Sequence, residues 1–287
     1  MKDIIIILLC IPLYVTNSFC DKYVSARGKG SGELYNAVKF FIGSICFLPL
    51  VLFDGAPRFK AGVLLCGIAC GMMYAVSKTI ILRGYSKTSV AFMTLCHSAG
   101  MIVPCVIGHF FWGERLSLLA LGGIVLTVLS AVLLKGGNEE KKGFTALGIL
   151  IGAAVFLTSG GVMVCQKLMG MYFPEQSVVA YNFYSFVVPF LVIGAFLPKG
   201  KNRTAKDVKT VLPFAAGSAI SLCVISFVMT SLAGRVPSVV MFPLFNGLGI
   251  VLVCAVSAIV FKERLNAKRM VGIILGLGGL FLISVFG

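Results

Sequence analysis

The stretch Phe-Trp-Gly-Glu-Arg-Leu-Ser at residues 111–117 returns later in the chain as Phe-Lys-Glu-Arg-Leu-Asn at residues 261–266. Each copy ends a long apolar run, and a glycine follows nine residues after each glutamate. An offset of 149 aligns residues 61–134 with residues 210–283, and offsets of 145 and 146 align the earlier parts. The chain therefore consists of two copies of one half.

Each half holds five apolar spans of about the 20 residues that a helix needs to cross a bilayer. We predict an all-α integral membrane protein, because backbone groups in lipid must be satisfied within a segment and these runs are too long for barrel strands. An odd number of spans per copy predicts ten transmembrane helices arranged as two inverted five-helix repeats. The predicted spans are residues 4–20, 34–53, 61–82, 88–111, 116–134, 146–168, 178–197, 211–232, 238–261 and 267–286.

Composition agrees with a membrane domain. Hydrophobic residues make up 59% of the 287 positions and charged residues only 12%, whereas soluble proteins carry about 25% charged residues. The predicted organisation is a first repeat at residues 1–134, a linking loop at 135–143 and a second repeat at 144–287. The net charge of +15 does not indicate nucleic-acid binding, because most basic residues flank spans, where they meet anionic lipid headgroups.

The amino-terminal 20 residues are similar to a secretory signal peptide. The Cys-x-Lys pattern at residues 20–22 nevertheless has a partner at residues 165–167, so we assign this segment as the first span of its repeat. Connections after odd-numbered spans carry 17 Lys and Arg residues, and the other connections with both ends carry six. Because cytoplasmic loops hold the basic excess, this bias places both termini outside the cytoplasm.

All ten cysteines fall within spans or at their ends, and no Cys-x-x-Cys pattern occurs. Cys66 and Cys70 share a helix face, but two thiols alone do not form a metal site. We expect reduced cysteines that serve as small apolar residues, with no metal site and no cofactor.

The two Glu-Arg-Leu segments, at equivalent span ends of a duplicated ten-span chain, resemble the EamA-type repeat of the drug/metabolite transporter superfamily. The resemblance covers nearly the whole chain and implies a multi-pass secondary transporter of the cell membrane rather than an enzyme. In that family the first, third, fourth, sixth, eighth and ninth helices line a central cavity. The family also implies termini inside the cell, which conflicts with the charge bias, so the orientation stays open.

The motif residues are expected to act as scaffold. Glu114 would lie where the next helix begins, at the positive end of the helix dipole, and Ser117 would cap that helix. The fifth and tenth spans share small residues at matching positions, at a spacing that allows helices to approach closely. Bundle packing and a homodimer contact both fit this face, which comprises Gly123, Thr127, Ser130, Gly272, Gly276 and Gly279.

All ten acidic residues lie in connections or at span ends. Small multidrug exporters of the same superfamily exchange protons for cationic drugs through a membrane-embedded glutamate, so that mechanism is disfavoured here. Two lysines lie within spans, where an ionisable group costs about 2.5–3.5 kcal/mol and is a functional candidate. For Lys78, anion binding and snorkelling to the interface are both open, whereas Lys39 is expected to snorkel.

His97 lies near the centre of the fourth span, and the repeat places Asn246 at the matching position of the ninth. These groups are expected to face each other at the midplane, where such folds bind substrate, and a hydrogen bond between helices is the alternative. Because histidine titrates near neutral pH, His97 is also a candidate for proton coupling. The other predicted substrate-binding residues are Tyr14, Asn17, Tyr74, Ser159 and Ser226.

The sequence thus predicts secondary active transport of a small polar metabolite by alternating access through a central midplane cavity. A basic, hydroxylic and aromatic inventory favours an anionic or zwitterionic solute, such as an organic acid or amino acid. The alternatives are a cationic drug or metabolite exporter, an intramembrane enzyme that pairs His97 with a serine, and a scaffold that does not transport. The expected partners are the solute and membrane lipids, with a coupling proton or an exchanged solute, and no nucleic acid.

Overall fold

A computed structural model describes residues 2–25, 31–53, 60–84, 96–135, 146–173, 175–197, 205–260 and 267–286. Their regular structure is α-helical apart from one short 3-10 helix, Glu175–Ser177. The predicted all-α class is confirmed. The helices are α1 (Lys2–Leu9), α2 (Ile11–Ser25), α3 (Ser31–Phe53), α4 (Ala61–Gly84), α5 (Ile102–Phe111), α6 (Leu118–Lys135), α7 (Ala146–Tyr172), α8 (Val178–Ala195), α9 (Ala205–Leu232), α10 (Ser238–Val260) and α11 (Ala267–Phe286).

Ten apolar helical segments of the described residues overlap the ten predicted spans, of which residues 88–95 of the fourth and residue 261 of the ninth lie outside the described residues. Six are long and apolar enough to cross a membrane: Lys2–Asp21, Gly32–Phe53, Ala61–Ile81, Ala146–Tyr172, Val178–Ala195 and Asp207–Leu232. Four are shorter: Cys96–Phe111, Leu118–Ser130, Ser238–Val253 and Met270–Ile283. The inverted insertion of the second copy stays a prediction.

The first and fourth spans each contain a helix break that precedes a proline. α1 and α2 are separated at Cys10, whose N–H donates to the carbonyl three residues back at 3.1 Å, and Pro12 follows. In the fourth span the Val103 N–H donates to the Gly100 carbonyl at 3.1 Å, and Pro104 follows. Because proline lacks the N–H of the regular helical ladder, the preceding turn tightens to bonds of three-residue spacing.

The chain forms two compact units, and each draws on both copies of the repeat. The first unit comprises Met1–Ile11, Arg83–Val164 and Arg235–Gly287, and the second comprises Pro12–Leu82 and Cys165–Gly234. In the first unit α6 packs along α11, and these are the fifth helices of the two copies. In the second unit α3 packs against α8, the second helix of the other copy, and against α9. The predicted repeat boundaries stay a prediction.

Glycines allow α6 and α11 to approach closely within the first unit. A Cβ atom at Gly123 would lie 2.6 Å from the Gly279 carbonyl oxygen, and a Cβ at Gly279 would lie 2.6 Å from the Gly123 carbonyl oxygen. Nearby, the Ser130 hydroxyl donates to the Gly272 carbonyl at 2.6 Å. The small residues therefore serve helix packing within the chain, as one of the two interpretations predicts. A homodimer contact stays a prediction.

The first Glu-Arg-Leu segment ties two helices of the first unit together. Gly113 follows α5 with a φ of 66°, the left-handed conformation that suits glycine after a helix end. Glu114 Oε2 accepts the Ser238 N–H at 2.8 Å, at the start of α10. Glu114 lies just before α6, as expected, but the helix start that its carboxylate is seen to cap is that of α10, in the other copy. Ser117 Oγ accepts an N–H of the first turn of α6 at 3.0 Å, which confirms its predicted cap. The second segment, 261–266, lies outside the described residues.

An aromatic core holds α3 in the second unit. Phe40 and Phe47 of α3 pack around Phe186 of α8, with ring centroids 5.8 and 5.6 Å from that of Phe186. A side chain at Gly43 would collide with the Phe186 ring, so the two helices approach each other at this glycine. Because Phe40 and Phe186 are fully buried, this core fixes the helix that carries the polar residues described next.

Candidate functional site

The two units divide the predicted site residues. Five of them belong to the second unit, namely Tyr14, Asn17, Tyr74, Lys78 and Ser226. The other three, His97, Ser159 and Asn246, belong to the first unit. In the second unit the structure groups two of the five with four further residues. We call this group the charged cluster, and its members are Asn17, Asp21, Tyr35, Lys39, Lys78 and Ser218.

Helical spacing brings the charged cluster together. Asn17 and Asp21 are four residues apart in α2, and Tyr35 and Lys39 are four apart in α3, so each pair shares one helix face. Lys39 Nζ donates to Asn17 Oδ1 at 2.8 Å and to Asp21 Oδ1 at 3.1 Å. The Tyr35 hydroxyl donates to Asp21 Oδ1 at 2.6 Å. From α9, the Ser218 hydroxyl donates to Asn17 Oδ1 at 2.5 Å. The amide and carboxylate oxygens thus converge on one ammonium group.

Lys39 is completely buried, with 0% of its side chain exposed. The expectation that Lys39 snorkels to the interface is wrong, because its amine turns towards Asn17 and Asp21 within the second unit. An unpaired ammonium group would lose several kcal/mol of hydration on burial. Asp21 supplies the opposite charge, and the Tyr35 ring lies 5.6 Å from the ammonium nitrogen, within the range of a cation–π interaction. Lys39 is therefore a satisfied cation without contact to solvent.

Lys78, on α4, has a longer contact with Asp21 than Lys39 has. Its Nζ lies 3.9 Å from Asp21 Oδ2, whereas Lys39 bonds to Oδ1 of the same carboxylate. That distance is an ion-pair contact that is too long for a hydrogen bond. The side chains of Lys78 and Asp21 are 19% and 33% exposed. One carboxylate and two ammonium groups give the cluster a net charge of +1, and its accessible surface lies at Asp21 and Lys78 rather than at Lys39.

Asp21 is the functional candidate that the sequence analysis missed. It lies at the end of the first span, Lys2–Asp21, as predicted for an acidic residue of this chain. Its pairing with a buried lysine of α3 was hidden because 18 residues separate the two along the chain. A usable signal was present in the sequence: one helix face carries Asn and Asp at four-residue spacing, and the next carries Tyr and Lys at the same spacing.

A second polar group in the same unit carries no charge. We call it the neutral cluster, comprising Gln166, Asn182 and Ser226. The Ser226 hydroxyl donates to Asn182 Oδ1 at 2.6 Å, and Gln166 Nε2 donates to the Ser226 oxygen at 3.5 Å. Asn182 Nδ2 donates in turn to the Val178 carbonyl at 2.8 Å. These side chains are 6% exposed or less. Ser226 is therefore a buried member of a hydrogen-bonded network.

Tyr74, on α4, belongs to the same unit as the neutral cluster. Its ring packs against Phe40 and Phe186, at centroid distances of 5.9 and 6.4 Å. Tyr74 thus packs against the aromatic core. Tyr14, on α2, is half-buried. Roles in solute binding stay predictions for both tyrosines.

One member of each cluster occupies an equivalent position in the two copies of the repeat. Asp21 aligns with Gln166 at the offset of 145, and residues 35–36 (Tyr-Asn) align with residues 181–182 (Tyr-Asn) at the offset of 146. The first copy therefore carries a carboxylate where the second carries a carboxamide. The duplicated scaffold supports one charged and one uncharged polar network.

In the first unit, two predicted residues use their polar groups to bond to the backbone. The Ser159 hydroxyl donates to the His97 carbonyl at 3.0 Å and to the Phe156 carbonyl at 3.1 Å. Asn246 Nδ2 donates to the Phe242 carbonyl at 2.9 Å. Ser159 thus connects α7 to the segment that carries His97. The predicted facing of His97 and Asn246 stays a prediction.

The Ser159 contacts also concern the alternative of an intramembrane serine enzyme. A serine nucleophile needs its hydroxyl within hydrogen-bonding reach of a basic ring nitrogen, and the Ser159 hydroxyl donates instead to a main-chain carbonyl. Among the described residues, no group of three or more His, Cys, Asp and Glu side chains is placed to hold a metal ion.

The sequence matches a known family of proteins. The sequence profile of EamA-like transporters matches residues 1–135 and 146–285. YxxF of Bacillus subtilis (strain 168), an uncharacterized transporter, is 22% identical over 137 residues, which are 45% of this chain and 43% of YxxF. The chain thus aligns with less than half of the length of that relative.

Two further similarities concern a smaller protein and a solved structure. The quaternary ammonium compound-resistance protein QacC of Staphylococcus aureus is 28% identical over 96 residues, which are 33% of this chain and 85% of QacC. One protein of known crystal structure superposes with a TM-score of 0.79 at 16% sequence identity, covering 99% of this chain and 96% of the other. At that identity the similarity concerns the fold alone.

Proposed function

The chain belongs to the EamA-like transporter family, and we propose that it moves a small anionic or zwitterionic metabolite across the cell membrane by alternating access. The observation that carries the proposal is the unequal state of the two lysines beside Asp21. Lys39 is buried and held by two oxygens, whereas Lys78 is partly exposed and has a 3.9 Å contact. The exposed ammonium group is the one available to a solute.

Geometry supports an anion at Lys78. Because the contact between Lys78 and Asp21 is too long for a hydrogen bond, a solute carboxylate can approach the amine without breaking one. A hydrogen bond between two charged groups contributes about 1.5–3 kcal/mol. Binding of the solute at Lys78 does not require Lys39 to give up its bonds to Asn17 Oδ1 and Asp21 Oδ1.

A zwitterion fits the same place by a second contact. Asp21 Oδ2 faces Lys78, and the Asp21 side chain is one-third exposed. A solute that presents its carboxylate to Lys78 would therefore present a neighbouring ammonium group to Asp21. Both charges of an amino acid would then be paired, which limits the cost of removing them from water.

Alternating access is supported by the breaks in the first and fourth spans. Interrupted helices mark the binding region in many transporters built from repeats, and both breaks precede a proline. His97 lies beside the break in the fourth span and is our candidate for coupling a proton. In the alternative, an exchanged solute drives the cycle, and transport would then respond to solute on the far side rather than to a pH gradient.

A cationic solute is the second candidate, and one observation favours it. QacC is named for resistance to quaternary ammonium compounds, and the exposed Asp21 carboxylate offers a negative group. Against it stands the net charge of the cluster, because a cation at Asp21 would also meet two ammonium groups and, unlike a zwitterion, would bring no carboxylate to pair with Lys78. We therefore rank the anion or zwitterion first.

Transport by the purified protein in liposomes tests the proposal. We expect uptake of carboxylates or zwitterions, and we expect Lys78→Met to raise their half-saturating concentration about 10- to 100-fold, since one charged hydrogen bond is lost. Lys209→Gln is the matched control, because it removes an exposed positive charge of α9 outside the charged cluster. Uptake of quaternary ammonium ions alone, or wild-type kinetics in Lys78→Met, would overturn the proposal.

A further inference from the structure

We propose that Lys39, which no solute can reach, determines the sign of the charge that this transporter accepts. The inference rests on the proposed function, in which Lys78 binds the solute anion. It adds that Lys78 can do so because Lys39 neutralises the Asp21 carboxylate. Lys39 is thus a positioning and specificity-determining residue rather than a binding residue.

The two oxygens of the Asp21 carboxylate contact different partners. Oδ1 accepts hydrogen bonds from Tyr35 at 2.6 Å and from Lys39 at 3.1 Å. Oδ2 has its contact with Lys78 at 3.9 Å. Both of these hydrogen bonds, the short one from Tyr35 and the charge-assisted one from Lys39, lie on Oδ1, so the negative charge is compensated mainly there. Lys78 is left with an incompletely compensated charge.

The two lysines also differ in burial. Lys39 has no exposed surface, whereas Lys78 is 19% exposed. A cation that is shielded from solvent and held by Asn17 and Asp21 cannot exchange its partners for a solute. Lys39 therefore acts on the solute only through Asp21. Without its charge, Asp21 would have Lys78 as its counter-ion, and the cluster would become neutral.

The duplication provides an internal comparison. At the repeat offsets, Asp21 aligns with Gln166, Lys39 with Ser185 and Lys78 with Phe227. The second copy thus lacks all three charges at once. Ser185 bonds to the Tyr181 carbonyl at 2.9 Å, as a helical hydroxyl does. The three charges therefore occur together or not at all in the two copies, which agrees with a single charge-selecting unit.

Charge arithmetic gives the expected behaviour of the variants. Lys39→Met leaves one acid and one base, so the anion preference should disappear. Asp21→Asn with Lys39→Met leaves Lys78 as the one charged group of the cluster, so the anion preference should return. Lys39→Met with Lys78→Met leaves Asp21 alone, so cations should be preferred.

The experiment measures selectivity rather than rate. Proteoliposomes receive an equimolar mixture of glutarate, aspartate, phenylalanine, choline and benzyltrimethylammonium, and mass spectrometry measures what is taken up. We expect the ratio of carboxylate to quaternary ammonium uptake to fall about tenfold or more in Lys39→Met. It should return to within about threefold of wild type in the Asp21→Asn, Lys39→Met double variant. Lys209→Gln again serves as the control for loss of an exposed charge.

The outcomes separate this inference from the proposed function. If wild-type protein takes up neither carboxylates nor phenylalanine, the proposed function fails and the inference fails with it. If Lys78→Met loses carboxylate uptake while Lys39→Met keeps the wild-type ratio, the function stands and the inference is overturned. If Lys39→Met does not fold, Lys39→Gln takes its place, because the amide keeps a donor for Asn17 and Asp21 without the charge: a ratio that falls about tenfold or more supports the inference, and a wild-type ratio overturns it.

Discussion

The charged cluster and the neutral cluster lie in one compact unit and share one equivalent position of the repeat, Asp21 and Gln166, yet they differ in accessibility. The members of the neutral cluster are 6% exposed or less. In the charged cluster, the side chains of Asp21 and Lys78 keep 33% and 19% of their surface accessible. The neutral cluster is thus a closed hydrogen-bonded network, whereas the charged cluster keeps charged groups with accessible surface.

The energetic basis of the two clusters also differs. Ser226 and Asn182 are linked by a neutral hydrogen bond of 2.6 Å, whose net contribution is about 0.5–1.5 kcal/mol. Lys39 is buried and pairs with the partly exposed Asp21, and removal of Asp21 would leave an uncompensated buried charge, which costs about 3–5 kcal/mol. Substitutions in each cluster therefore test whether the ion pair contributes more to stability than the neutral hydrogen bond.

Asp21→Asn should have the largest effect on stability. It leaves Lys39 buried without a counter-ion, and we expect a loss of about 3–5 kcal/mol in the free energy of unfolding. The measurement is denaturant or thermal unfolding in detergent. The double variant with Lys39→Met is the control and should recover most of the loss, since it removes both charges of the pair. A single variant as stable as wild type would show that Lys39 is not buried as described.

Ser226→Ala should have an intermediate effect. It leaves Asn182 Oδ1 without the donor at 2.6 Å, and an unsatisfied buried acceptor costs about 1–3 kcal/mol. The same unfolding assay measures this loss. Transport selectivity between carboxylates and quaternary ammonium ions should remain that of the wild type. A changed selectivity would contradict the structural role assigned to the neutral cluster.

Lys78→Met should have the smallest effect on stability and a large effect on transport. A partly exposed ion pair without a hydrogen bond contributes about 0–1 kcal/mol, so the melting temperature should change little. Solute affinity should nevertheless fall, as argued for the proposed function. Equal losses of stability in Lys78→Met and Asp21→Asn would remove the distinction between the two lysines.

Several features of the site could be predicted from sequence. The charge of Lys78 within a span marked it as a candidate, and Asn17 followed from its place on a cavity-lining span. Lys39 was expected to snorkel, because the long side chain of a lysine near a span end normally extends its amine to the membrane interface. Its real partners, Asn17 and Asp21, lie on α2, and sequence patterns do not show which faces of two helices meet.

The Glu-Arg-Leu segment gives a similar lesson in the first unit. Local rules predicted the Ser117 cap correctly, because a helix cap depends on residues within one turn. They did not show the partner of Glu114, whose carboxylate bonds to Ser238, 124 residues further along the chain. A partner so distant in sequence is fixed only when α5 and α10 pack together.

The sequence by itself determined the helical membrane class, the ten spans, the duplication and the family, because these depend on composition, period and internal repetition. Only the tertiary structure decided that Asp21 holds a buried Lys39, that Lys78 remains exposed, and that the equivalent acid position of the second copy joins a closed neutral network. The physical reason is that burial and charge pairing are properties of packed faces. The same lysine is a surface anchor or a buried counter-ion according to which helix lies opposite it.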